Sequence, residues 1–181
     1  NRIGRFYLDR FSGISNANGA EGANTKAANA PVFASSLTNV LTAGAVSPPR
    51  AARLAYASTL AGGPYVVFEM NLGKVDWINA SSFTSLSFWA KRSNVSGNLS
   101  NMKAEFFDPN QSDFVLLSSN MRVSNTFKKF TIPFSAVSGF TSARFDTLKF
   151  TVYPDQHGST NAILYFDDVA LEGVGYLPEL T

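Results

Sequence analysis

From Arg50 onward, apolar and polar residues take turns one for one in short runs, and no run changes to the three-to-four spacing of a helix. In Ser85 to Arg92, Leu86, Phe88 and Ala90 share one side, with Ser87, Trp89 and Lys91 on the other. In Met102 to Phe107, Met102, Ala104 and Phe106 oppose Lys103, Glu105 and Phe107. A segment of this kind buries one face only as a strand. Turn signals at Gly62-Gly63-Pro64, Asn79 to Ser82, Ser93 to Asn101, Asp108-Pro109-Asn110 and Pro154 to Asn161 cut the chain into about nine or ten strands. The expectation is an all-β fold, a two-sheet β-sandwich or jelly roll.

The remaining segments fill in this plan. Arg2 to Phe11 reads as the opening strand, with Phe6 and Leu8 alternating against Tyr7 and Asp9. Ser12 to Asn29, rich in Gly, Ala and Asn, reads as a surface excursion, and Pro31 to Pro49 as a short strand or a buried loop. Ala51 to Ser58 and Tyr65 to Leu72, on either side of the Gly-Gly-Pro, read as a hairpin; in the second, Val66, Phe68 and Met70 oppose Tyr65, Val67 and Glu69. Phe127 to Phe134 is a strand ended by Pro133, which cannot donate to a ladder. Phe140 to Asp146 reads as a connection and Leu148 to Tyr153 as a strand.

The last strand organises the rest. In Ala162 to Gly173 the alternation of Leu164 and Phe166 slips by one before Val169 and Leu171, and the slip falls on Asp167-Asp168. A slip of one residue moves every later side chain to the other face unless a bulge absorbs it. Two carboxylates at such a bulge suit either a hydrogen-bonded corner or a cation bound through oxygen.

Composition narrows the function classes. Charged residues are only 15% of the 181 and the net charge is +2, so neither nucleic acid nor an anionic membrane is expected as a partner. There is no cysteine, which removes disulfides, thiolate chemistry and thiolate zinc sites. No apolar stretch approaches the roughly 20 residues of a membrane helix. Residues 1 to 173 are expected to form one module and 174 to 181 a tail or linker start, the whole being an excised or mature piece of something longer.

Several motifs, in order, resemble the family 11 carbohydrate-binding modules, jelly rolls attached to bacterial polysaccharide-degrading enzymes. They are Leu8-Asp9-x-Phe11-x-Gly13, the Tyr65 strand ending near Trp77, Ser81 to Ser93, Phe127 to Val137, Arg144 to Tyr153, and the Leu164 to Gly173 end. The resemblance implies a secreted, non-catalytic module, extracellular or at the cell surface, whose partners are a polysaccharide or oligosaccharide and a neighbouring domain of the same chain. It further implies that the first and last strands lie side by side and share a structural calcium, held by Asp9, Asp167 and Asp168, on the edge away from the ligand. The family's acidic residue after the opening Phe is replaced by Ser12.

Sugars stack their C–H faces on aromatic rings and bond their hydroxyls to charged and amide groups. Alternation puts Tyr65, Trp89, Phe107 and Tyr153 on outer faces. The resemblance places Tyr65 at a ligand-contacting tyrosine, Lys149 at a contacting histidine, and Tyr153 one residue beyond another tyrosine. The expected ligand face comprises Tyr65, Trp89, Lys149, Tyr153, Arg53 and Glu69. Two of the family's ligand loops are absent: Ser138 to Ala143 lacks the arginines, and Ser15 to Gly22 lacks the aromatic residues.

Catalysis is not expected. His157, the only histidine, sits in Asp155-Gln156-His157-Gly158 with no nucleophile elbow elsewhere. Glu69 and Glu105 lie in no recognisable pair of acid and nucleophile. Asn79, Asn94, Asn98 and Asn110 begin matches to the N-glycosylation pattern, as chance gives in a chain rich in Asn and Ser. The alternative function is a structural or adhesive β-sandwich domain of a larger surface protein.

Overall fold

The computed structural model describes residues 3–10, 24–29, 33–47, 49–58, 66–71, 78–79, 83–93, 100–108, 112–138, 144–145, 147–152 and 161–174. Its strands are β1 (Ile3–Asp9), β2 (Asn24–Asn29), β3 (Phe33–Leu41), β4 (Arg50–Ser58), β5 (Val66–Asn71), β6 (Ile78–Asn79), β7 (Ser85–Ser93), β8 (Ser100–Asp108), β9 (Asp113–Val123), β10 (Lys128–Pro133), β11 (Arg144–Phe145), β12 (Thr147–Val152) and β13 (Asn161–Val174). One turn of 3-10 helix, Phe134–Ala136, follows Pro133. Among the described residues no helix is long and apolar enough to cross a membrane.

Two antiparallel sheets carry the fold. The β13 sheet runs β10-β7-β13-β4-β3, with β1 also pairing β13, and the β12 sheet runs β2-β5-β12-β8-β9. A short ladder of β6 and β11 stands apart. The all-β sandwich expected from the alternation is the one found. Its seam is aromatic: Phe130 stacks on Phe88 at 5.1 Å, Phe88 meets Phe150 edge to face at 4.7 Å, and Phe150 lies 5.2 Å from Phe166. Phe150 belongs to one sheet and the other three to its partner, so these contacts tie the layers together. Leu54, Leu86, Met102, Phe106, Leu148, Leu164, Val169 and Leu171 fill the space around them.

The first and last strands are neighbours, with Ile3 opposite Val174 and Tyr7 opposite Ala170. The slip at the Asp pair is a bulge: Asp167 faces Trp89 and Ala170 faces Ser87, so two residues of β13 stand against Phe88 alone. Asp168 occupies the left-handed region at φ 46.

Three expectations change. β4 and β5 are not a hairpin, because β4 pairs with β3 and β13 while β5 pairs with β2 and β12. Alternation fixes which face of a strand is apolar and leaves open which sheet the strand joins. The Ser12 to Asn29 excursion contains β2, an edge strand on β5. The Phe140 to Asp146 connection contains β11. Within Pro31 to Pro49 the described residues form β3 and, over 42–47, a loop. β13 runs to Val174, one residue into the expected tail, and residues 175–181 lie outside the described residues.

Candidate functional site

β13 changes partners halfway along. On one side its residues 161–166 pair with β4 and its residues 169–174 with β1, which leaves Asp167 and Asp168 at the break between the two ladders. The loop from β3 to β4 fills that break. Asp167 Oδ2 accepts the N–H of Val46 at 2.7 Å and of Ser47 at 3.1 Å, and Oδ1 accepts the N–H of Asp168 at 2.9 Å. The Ser47 hydroxyl donates to Asp168 Oδ1. Asp167 is fully buried, and burial pushes its carboxyl up to about 7 against the opposing pull of those N–H groups. The corner that the bulge suggested in the sequence is therefore a clasp from a strand to a loop.

A cation needs oxygen lone pairs, and those of Asp167 are directed at backbone donors. Among the described residues no group of three or more acidic or histidine side chains stands close enough to hold a metal ion. The backbone of Asp9 stands opposite Val169, one register step from Asp168, and its side chain lies outside the described residues.

The expected ligand residues do not all share a face. Glu69 and Lys149 are directly opposite on β5 and β12, but Arg53 and Trp89 belong to β4 and β7 of the other sheet. Trp89 is the register partner of Asp167, so it neighbours the clasp instead of lying away from it. Sheet membership, invisible to alternation, separates the two subsets. Tyr65 and Tyr153 lie outside the described residues, as does His157.

Around Lys149 the register builds a transverse row: Lys26, Glu69, Lys149, Glu105 and Leu116 stand opposite one another on β2, β5, β12, β8 and β9. Lys103 Nζ donates to Glu105 Oε1 at 3.0 Å, and Lys149 Nζ lies 3.3 Å from Glu105 Oε2. Among the described residues that second oxygen is buried without a hydrogen bond. Lys149 Nζ also sits 3.6 Å above the Phe114 ring, which meets Phe107 edge to face at 5.4 Å. Leu116 completes the patch at 47% exposure. Glu105 and Phe107 are outward in the sequence, but Phe114 and Leu116 become their neighbours only through the β8–β9 register.

Comparison with solved structures gives the assignment: the fold is that of the family 11 carbohydrate-binding modules. The module of a cellulosomal cellulase of Clostridium thermocellum aligns over 99% of this chain and 100% of its own, with a TM-score of 0.63 and 18% identity. The family 11 module of that organism in complex with a β-1,3-1,4-mixed-linked tetrasaccharide aligns over 96% of this chain and 98% of its own, with a TM-score of 0.65 and 16% identity. A Clostridium thermocellum xylanase fragment joining a family 22 module to a catalytic module, complexed with xylohexaose, matches 93% of this chain and 28% of its own at a TM-score of 0.56 and 16% identity. No protein-family model matches the sequence, and no curated protein does.

Proposed function

We propose that the chain is a non-catalytic carbohydrate-binding module, extracellular or at the cell surface, that holds a polysaccharide on the outer face of the β12 sheet beside an appended polysaccharide-degrading domain. The observation that carries this reading is the Lys149–Glu105 pair set against Phe107, Phe114 and Leu116. A sugar hydroxyl accepting from Lys149 Nζ, which Glu105 holds at 3.3 Å, anchors the saccharide, while ring C–H groups cover the phenylalanines. The solved neighbours support the reading by what they bind and by what one of them is joined to.

Calorimetry against a panel of neutral polysaccharides tests it. Lys149→Ala and Glu105→Gln should each weaken binding by about fivefold or more, the loss of one or two hydrogen bonds to charged groups. Trp89→Ala, on the other sheet, should leave it unchanged. Absence of binding across the panel favours the structural or adhesive domain. We also propose a structural calcium at Asp168 and Asp9, with Asp167 holding the loop and not the ion. Dialysis against a chelator should lower the thermal midpoint, and an unchanged midpoint in excess calcium removes the ion from the account.

A further inference from the structure

Arg53 and Trp89, separated from Lys149 by the sandwich, stand among residues of the same chemistry as themselves. Lys91, Tyr165 and Arg53 form one row of register across β7, β13 and β4, at about 4.8 Å per strand step. Lys91 Nζ lies 5.0 Å from the Tyr165 ring centroid and 4.7 Å from that of Phe127, and donates to the Ala43 carbonyl at 3.3 Å. In the next row Lys129 is the register partner of Trp89. On β1 and just beyond it, Arg5 and Arg10 flank Tyr7 at 5.7 and 4.5 Å.

The acids of this sheet whose side chains are described are already engaged. Glu172 takes Arg5 at 2.9 Å and Lys129 at 2.7 Å, and Asp167 and Asp168 are turned to the loop. Among the described residues neither Lys91 nor Arg53 has a carboxylate partner. Two cations without a described carboxylate partner thus stand on either side of one half-buried tyrosine, two strand steps apart, with a tryptophan in the adjoining row.

We infer that this outer face is a second saccharide site, distinct from the Lys149 face, and that it takes an acidic polysaccharide, a chain of pyranose rings bearing carboxylates. The rings lie on Tyr165 and Trp89. Their carboxylates meet Lys91 and Arg53, whose guanidinium offers the fork that a carboxylate fills with two parallel bonds. A separation of two strand steps is comparable to the length of a disaccharide, so alternate sugars reach the two cations. A protein partner would call for an apolar centre; the large hydrophobic residues exposed among those described are Leu41 and Leu116, neither of them in this row.

Affinity electrophoresis of the whole chain through gels containing polygalacturonate, with a neutral mixed-linkage β-glucan as counterpart, tests the inference. Polygalacturonate should retard the protein at low salt and release it as salt screens the contacts. Arg53→Gln, and more so Arg53→Gln with Lys91→Gln, should weaken retardation by about fivefold or more, while Lys149→Ala leaves it unchanged. Thermal midpoints of the variants separate lost binding from lost folding, and Arg53→Gln alone suffices if Lys91 proves necessary to hold the loop. No retardation, undiminished retardation of folded Arg53→Gln, or loss on Lys149→Ala instead overturns the proposal. Capture of an acidic protein domain without retardation by polygalacturonate overturns it as well.

Discussion

Asp167 and Asp168 are adjacent and chemically identical, yet the backbone gives them different tasks. Asp167 satisfies three N–H groups where one ladder ends and another begins. Asp167→Ala leaves them buried without an acceptor and should cost about 2–4 kcal/mol in denaturant unfolding. Its ionisation has a definite sign. Because burial raises the folded pKa from 3.8 to about 7, the folded protein keeps a proton that the unfolded chain gives up between those values. The stability this group contributes is full below pH 3.8 and is lost as the pH climbs through about 7. Glu172 acts in the opposite sense. Burial pushes it up, but hydrogen bonds from Lys129 and Ser87 and the charges of Lys129 and Arg5 prevail and hold it below 4.5, so its contribution is lost on acidification. Asp167→Asn removes only the first effect. In calcium-free buffer the advantage in melting midpoint of the natural protein over this variant should therefore shrink from pH 3.8 to about 7, and an advantage independent of pH contradicts the assignment. Asp168, at φ 46, carries a backbone penalty that glycine does not. Asp168→Gly and Asp168→Ala both delete the carboxylate, so their difference isolates the backbone, and the alanine variant should be less stable by about 1 kcal/mol.

At the scale of the strand, the aromatic seam holds the layers together. Phe150 is the member of that seam contributed by the β12 sheet, and it touches both Phe88 and Phe166. Phe150→Ala opens a cavity between the sheets and should cost about 3–5 kcal/mol, read from a shift of the denaturation midpoint without a change in slope. The faces of β7, β8 and β13 were legible in the sequence because large inward residues alternate with Ser, Lys and Glu. The bulge was legible because a doubled acidic residue interrupts that beat. Sheet membership was not legible, since β4 and β5 show the same pattern whichever sheet they join. β2, Asn-Thr-Lys-Ala-Ala-Asn, is an edge strand without a large apolar side chain, and its pairing with β5 left no periodic trace. The partners of Asp167 are backbone N–H groups of Val46 and Ser47, which carry no side-chain signal at all. The ligand residues divide for the same reason: alternation marked Trp89 as outward and the family resemblance pointed to Lys149, and outward means opposite directions on the two sheets.

For the molecule as a whole, the position of β13 sets the order of dependence among the strands. It lies at the centre of its sheet, pairs with β4, β7 and β1, and brings Leu164, Phe166, Val169 and Leu171 into the core. It is also the last strand among the described residues. Until it is in place β4 and β7 have no common neighbour, β1 has no ladder to join, and the loop after β3 has no carboxylate to close on. A chain ending at residue 160 should therefore fail to fold, with the near-ultraviolet dichroism and dispersed amide resonances of the full chain both missing. Deleting residues 1–10 is a milder change, because among the described strands β1 pairs with β13 alone, and it contributes Leu8 to the core. That variant should retain the sandwich with a lower melting midpoint. It should also keep its affinity for a neutral glycan, because Lys149, Glu105 and Phe114 lie on the opposite sheet. If instead the chain lacking residues 161–181 unfolds cooperatively at a midpoint above that of the chain lacking residues 1–10, the central place of β13 in the stability of the sandwich is refuted.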